Sequence, residues 1–166
     1  MASSYEEFLY IERAKNELDL AETIYKISNE RDLKARFDLK PDSTFYSNVI
    51  GISYFCIFYA AKAFLELNGV ETKPPEEHRK TLEEFERLAS SGEIDVSLLK
   101  IYKSMIIKAD ELLEIFKIER AKRGRFTYKK LPQANRQPAE ESLKNAKKFF
   151  WNINVIIRNK SSQSQT

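Results

Sequence analysis

The stretch VIGISYFCIFYAAKAFL, from Val49 to Leu65, is the part of the sequence that decides the fold. As a helix it is apolar on nearly every side, but it is short for a membrane span and contains Lys62. Its flanking segments are amphipathic, as in a water-soluble helical protein. The stretch therefore predicts a buried central helix.

This helix has more apolar faces than one bundle core uses, because Tyr54, Phe55 and Phe58 lie off its main apolar stripe. Either other helices surround it, or part of it faces a second subunit. We predict a homodimer in which this helix or its neighbour contributes to the interface.

Outward from this stretch, apolar residues recur at spacings of three and four, which indicates amphipathic helices. The repeats cover about residues 4–28, 44–67, 74–89, 95–116 and 138–157, and the pattern breaks between 29 and 43. No segment has a strand period. We predict an all-α, single-domain antiparallel helical bundle of four long helices plus one shorter helix, with residues 1–158 as the domain and 159–166 as a polar, disordered tail.

Local signals mark the helix boundaries. Pro41 with Asp42 and Ser43 supplies a stop and a new N-cap before the second helix. Asp95 can cap the fourth helix, and Pro138 suits the first turn of the last one. Gly69 and Gly92 are placed where the second and third helices end.

Composition narrows the function classes. A lone Cys56 excludes an intramolecular disulfide and favours a reducing compartment, and the N-terminus lacks the pattern of a signal peptide, so we expect a cytoplasmic protein. Cys56 is expected to be a small core hydrophobe, and Trp151 is expected to pack in the core.

Several kinds of chemistry are not indicated. The four glycines are isolated, so there is no phosphate-binding glycine loop, and one His with one Cys cannot form the usual zinc site. The carboxylate pairs Glu83–Glu84 and Glu140–Glu141 diverge around their helices and do not converge on an ion. We expect no metal, no cofactor and no catalytic residues.

Positive charge is concentrated between Arg120 and Arg136, in the run RAKRGRFTYKKLPQANR, which has seven basic residues and no acidic one. The rest of the chain is near balance, since the whole has 28 Lys and Arg against 25 Asp and Glu. Such a run is either a solvated loop or a surface that meets phosphate or an acidic partner.

The order of the motifs resembles the HEPN family (higher eukaryotes and prokaryotes nucleotide-binding), especially its small stand-alone prokaryotic members. The resemblance extends over nearly the whole chain. The segment from Ser53 to Leu65 is similar to the family's aromatic pair and Ala-Ala-Lys run, with Tyr59 where many members have His. The other two motifs are His78-Arg79-Lys80, which resembles the family's His-Lys, and the segment from Arg123 to Tyr128, which resembles its Arg-x-x-x-Asp-Tyr.

In ribonuclease members of that family, an Arg is followed within four to six residues by a His. Here Tyr128 occupies that position, and no His follows His78. A phenol is a poor general acid or base at neutral pH. The resemblance therefore implies a non-catalytic protein that binds nucleotide or RNA and acts beside a minimal nucleotidyltransferase, in a toxin–antitoxin-like pair.

The expected nucleotide or phosphate site follows from this resemblance and the basic run. Its residues are Arg123, Arg125, Tyr128, Lys129, Lys130 and His78. Arg123 would grip phosphate bidentately and Tyr128 would stack on a base or donate a hydrogen bond. Taken alone, His78 is as well explained as a cap, a surface group or a structural hydrogen-bonding residue. Two alternatives stay open: a divergent metal-independent ribonuclease toxin of the same fold, and a helical protein-interaction scaffold.

Overall fold

A computed structural model describes residues 3–121 and 136–163, with side chains for residues 5–110 and 136–163. Every regular element in these ranges is a helix, which confirms the all-α prediction. The helices are α1 (Ser3–Asn29), α2 (Arg31–Arg36), α3 (Tyr46–Leu67), α4 (Glu77–Ser90), α5 (Val96–Ala121) and α6 (Arg136–Gln163).

Helix α3 is the centre of the fold, because α1, α4, α5 and α6 all pack against it. By length and composition it could cross a membrane, but 67% of its most apolar window is buried inside the protein, as in a core helix. Cys56 is fully buried in α3, as expected for a core residue. The other helices surround α3 and cover most of its extra apolar residues, which is the first of the two explanations given for them. Phe58 is buried within the chain and Tyr54 is half-buried, whereas Phe55 is 41% exposed.

Helices α1 and α3 run antiparallel. The Tyr46 hydroxyl at the start of α3 donates to Asn29 Oδ1 at the end of α1, at 2.6 Å. Tyr10 near the start of α1 stacks on Tyr59 in the second half of α3, with ring centroids 6.4 Å apart. The first turns of α1 therefore lie beside the last turns of α3.

Helix α6 runs parallel to α3, since Lys160 near its end donates to Asn68, just after α3. Helix α5 runs in the opposite direction to α6, because Tyr102 contacts Phe149 while Lys108, further along α5, pairs with Glu141, earlier in α6.

The predicted helix boundaries are partly confirmed. Asp95 caps α5 by accepting a hydrogen bond from the Ser97 amide at 2.7 Å, and Pro138 lies in the first turn of α6. Gly69 and Gly92 follow α3 and α4 with φ of 72° and 84°, which favours glycine at both positions. The N-cap predicted from Asp42 and Ser43 is wrong, because Phe45 is the N-cap residue of α3.

Three other expectations need correction. The break between residues 29 and 43 contains helix α2, a turn and a half with Lys34 as its buried side chain, which is too short to show an apolar period. Helix α6 continues to Gln163, five residues into the predicted disordered tail, where Ser161 and Ser162 donate to the carbonyls of the preceding turn. Trp151 is 50% exposed rather than part of the core.

Candidate functional site

Of the six residues predicted to bind nucleotide or phosphate, only His78 lies within the described residues. The other five lie outside them: Arg123, Arg125, Tyr128, Lys129 and Lys130. The geometry around His78 is therefore the part of the predicted site that can be built from its contacts.

His78 is the second residue of α4 and lies on an aromatic surface of α3. Its ring stacks on Phe58, with centroids 4.0 Å apart and an interplanar angle of 15°. Its Nδ1 is 2.8 Å from the Tyr54 hydroxyl, and Phe55 meets the ring edge-on at 6.2 Å. We call Tyr54, Phe55, Phe58 and His78 the aromatic platform.

Burial shifts the pKa of both partners in the hydrogen bond between Tyr54 and His78. Burial, and to a lesser degree Asp110, raises the pKa of Tyr54 to about 12, so its hydroxyl keeps its proton. Burial also lowers the pKa of His78; nearby Lys62 acts in the same direction and Glu77 opposes it. At neutral pH these shifts favour the neutral form of both groups, and the tautomer of the imidazole determines whether the Tyr54 hydroxyl or Nδ1 is the donor.

A buried ion pair attaches the start of α4 to α3. Lys62, 3% exposed, donates to the carboxylate of Glu77, the residue before His78, and to the Thr72 carbonyl at 2.9 Å. Its ammonium also lies 4.8 Å from the centroid of the Tyr10 ring. These contacts give the lysine of the Ala-Ala-Lys motif a role in positioning the platform histidine.

Beside the platform, the aromatic surface continues to Tyr59 and Tyr10. The Arg13 guanidinium lies 4.1 Å from the centroid of the Tyr59 ring, and Arg13 also donates to its hydroxyl. This exposed arginine lines a cleft of about 400 Å³, whose other lining residues are Glu6, Leu9, Tyr10, Glu12, Asn16 and Glu71. Sequence reasoning missed Arg13, because its importance depends on the α1–α3 register.

Helix α5 packs against α3, the helix that carries the aromatic residues of the platform. Asp110 acts electrostatically on Tyr54, which places this part of α5 near the platform. Ala121, the last described residue of α5, follows eleven residues later, or about 16 Å of helix.

The platform can stack a planar group and exchange a hydrogen bond through Nε2, but its contacts offer little for nucleophilic catalysis. Cys56 is buried, and burial raises its pKa, so it is not a reactive thiolate. The platform hydroxyl of Tyr54 is also a weak acid at neutral pH.

We expect His78 to titrate below the 6.5 of an unperturbed histidine. Because the chain has a single histidine, one imidazole signal in a proton NMR titration measures this pKa directly. A lowered pKa means that the unfolded state takes up the proton more readily, so this group's contribution to stability is complete above about pH 6.5 and is lost as the pH falls through the folded-state value.

The same titration in urea serves as the control and should return about 6.5. Burial raises the pKa of Glu17 and of Glu66, so the pH dependence of stability from these two groups runs opposite to that from His78. The NMR signal therefore reports on His78 alone, whereas a curve of stability against pH combines all three groups. A native pKa at or above 6.5 would contradict the lowered pKa expected for the imidazole stacked on Phe58.

No family model, curated protein or solved structure matches this chain, so the resemblance to the HEPN family rests on its sequence motifs alone.

Proposed function

We propose that this chain is a non-catalytic, HEPN-type nucleotide- or RNA-binding protein with a HEPN-like fold built on four long antiparallel helices. It acts in the cytoplasm as a homodimer and as the partner of a minimal nucleotidyltransferase, in a toxin–antitoxin-like pair. Its ligand stacks on the aromatic platform while the basic run between Arg120 and Arg136 holds the phosphates.

The aromatic platform is the observation that carries this proposal. It brings the histidine of the His-Lys motif onto the aromatic residues of the motif in α3, and the exposed Phe55 lies next to them. Stacking on aromatic rings is a common way to hold bases without reading their sequence. Two cations lie over rings of this aromatic surface among the described residues. The exposed Arg13 lies over Tyr59, and the buried Lys62 lies over Tyr10.

The non-catalytic assignment is supported by the chemistry of the same residues. The sequence has no His after His78, so the position that follows Arg123 in ribonuclease members lacks its general acid or base. The ribonuclease alternative would need this imidazole or Tyr128 to replace the missing residue.

The homodimer stays a prediction, and fewer exposed apolar residues of α3 support it than the sequence alone indicated. Since Phe58 is buried under His78, the apolar surplus of α3 is reduced largely to Phe55. A second subunit would cover this ring, or would place another copy of the basic run against the platform.

The test is binding of a fluorescent adenine nucleotide and of a short single-stranded RNA to the full chain. Arg123→Ala should weaken binding by about 1–3 kcal/mol, the usual value for hydrogen bonds to charged groups. Lys129→Ala should weaken it less and mainly reduce its salt dependence, because a lysine contributes a point charge. Tyr128→Phe should retain stacking and lose only the hydroxyl contact.

Phe55→Ala tests the platform and should cost about 1–3 kcal/mol per stacked base. Phe8→Ala is the matched control, since Phe8 is a 39% exposed phenylalanine on α1, against 41% for Phe55. Equal, small losses for Arg123→Ala and Lys129→Ala would indicate a diffuse positive surface and favour the scaffold. Specific RNA cleavage in EDTA that Arg123→Ala abolishes would instead favour the ribonuclease.

A further inference from the structure

Three carboxylates from distant parts of the sequence meet at one end of the fold. Glu6 lies in the first turns of α1, Glu66 is the penultimate residue of α3, and Glu71 lies in the connection from α3 to α4. One carboxylate oxygen from each lies within 4.8 Å of the other two. The antiparallel register of α1 and α3 brings them together.

The buried member of this group has an unsatisfied oxygen. Glu66 is only 8% exposed, and its Oε1 accepts no hydrogen bond from the residues that the structure describes. The neighbouring Glu7 is 5% exposed and also has an oxygen without a partner. Buried carboxylates are normally paired, hydrogen-bonded or bound to a metal, because an isolated charge is costly to remove from water.

Two nearby lysines, Lys62 and Lys73, offset only part of the negative charge of the group. The Lys62 ammonium, one helical turn before Glu66, is already bound by Glu77 and the Thr72 carbonyl. Lys73 pairs with Glu71 at 3.0 Å, but both side chains are more than half exposed, so this pair is weak and easily replaced. The cluster therefore brings together three carboxylates, one of which is buried and has an oxygen without a hydrogen-bond partner among the described residues.

We propose that Glu6, Glu66 and Glu71 form a binding site for a hard divalent cation. The donors are all carboxylate oxygens, the set that calcium, magnesium and manganese prefer. A separation of up to 4.8 Å between donors is about the span across a calcium ion with oxygens at roughly 2.4 Å. Glu6 and Glu71 are exposed, so water can fill the remaining coordination positions.

The cation would lie at the edge of the cleft that contains Arg13. Glu6 and Glu71 line this cleft as well as belonging to the cluster. The site uses none of the residues assigned to nucleotide binding, so it stands or fails independently of the proposed function. The sequence does not reveal this site, because its three carboxylates are separated in the chain and meet only through the register of α1 and α3.

The test uses the full chain, first treated with EDTA and then titrated with calcium, magnesium or manganese chloride by calorimetry. Thermal unfolding is followed in parallel, because an ion that binds the folded state and not the unfolded state raises the melting temperature. We expect one saturable site for at least one of these ions, and at least tenfold weaker binding in both Glu71→Gln and Glu66→Gln.

Glu66→Gln gives a second readout, because it removes a buried charge that has no partner. Without metal this variant should be at least as stable as the wild type, and it should lose the melting-temperature increase that metal causes. Glu12→Gln is the matched control: Glu12 is an exposed glutamate of α1 that lines the same cleft but lies outside the cluster. It should leave binding unchanged.

Three outcomes would overturn the site. The first is no saturable binding of any of the three ions. The second is equal weakening by Glu12→Gln and Glu71→Gln, which would mean that the ions sense only an acidic surface. The third is unchanged binding by Glu66→Gln, which would exclude the buried carboxylate as a ligand.

Discussion

Replacing Phe85 with alanine is expected to lower the free energy of unfolding by about 3–5 kcal/mol, the usual cost of deleting a buried phenylalanine ring. Phe85 is fully buried and comes from the shortest helix that packs on α3. Its ring centroid lies 5.7 Å from Phe64, 5.5 Å from Tyr102 and 5.4 Å from Phe149. One side chain therefore joins α4 to α3, α5 and α6, and no small movement can fill the cavity that its loss would create.

Urea denaturation measures this loss, and thermal unfolding should show a drop of about 6–20 °C, at 2–4 °C for each kcal/mol in a chain of this size. Phe55→Ala is the control: it deletes the same ring at a 41% exposed position and should cost less than about 1 kcal/mol. A loss below about 1 kcal/mol for Phe85→Ala would mean that α4 does not pack against the core as described.

Tyr102→Phe separates the contribution of ring packing from that of hydrogen bonding at Tyr102, whose ring contacts Phe85 and Phe149. Tyr102 is fully buried, and its hydroxyl has no hydrogen-bond partner among the described residues. Because an unsatisfied buried hydroxyl is destabilising, this variant should match or exceed the stability of the wild type. A substantial loss would reveal a partner for the hydroxyl.

The sequence predicts much of this core because apolar spacing is a local property. Phe85, Leu98 and Tyr102 on two helices, and Ala146 and Ile153 on the last one, belong to apolar series with spacings of three and four in the sequence, and all five are buried. The central place of α3 also follows from its composition, since only a helix packed on several sides can bury so many apolar residues.

The candidate sites are harder to predict, because they depend on how the helices are placed side by side. His78 and Phe58, which stack on each other, are twenty residues apart in the sequence, and Arg13 and Tyr59, which are in contact, are forty-six residues apart. No local pattern distinguishes Arg13 from other surface arginines, or Glu66 from other glutamates. For Trp151, the residue type gives the wrong prediction: a tryptophan is expected to be buried, but this one lies on an exposed side of α6.

The buried pair of Lys62 and Glu77 should respond unequally to the loss of each partner. Lys62 is 3% exposed, whereas Glu77 is 28% exposed. Burial alone would lower the pKa of Lys62, but its contacts with Glu77 and Tyr10 raise it above the ordinary value, so it is charged at neutral pH. Removing the glutamate charge leaves a buried ammonium that water cannot reach, while removing the lysine leaves a carboxylate that can still be hydrated.

We therefore expect Glu77→Gln to cost about 2–3 kcal/mol, below the roughly 3–5 kcal/mol of a fully buried pair because Glu77 is partly exposed. Lys62→Met keeps the volume of the side chain and should cost about 1–2 kcal/mol. The double variant should cost less than the sum of the two single ones, as measured by urea denaturation in a double-mutant cycle.

The single histidine gives an independent check of the same pair. Glu77 raises the pKa of His78 and Lys62 lowers it. In an NMR titration, Glu77→Gln should therefore move the pKa of His78 further down, and Lys62→Met should move it up. Equal stability losses with no opposite movement of the His78 pKa would show that the pair neither attaches α4 to α3 nor sets the electrostatics of the aromatic platform.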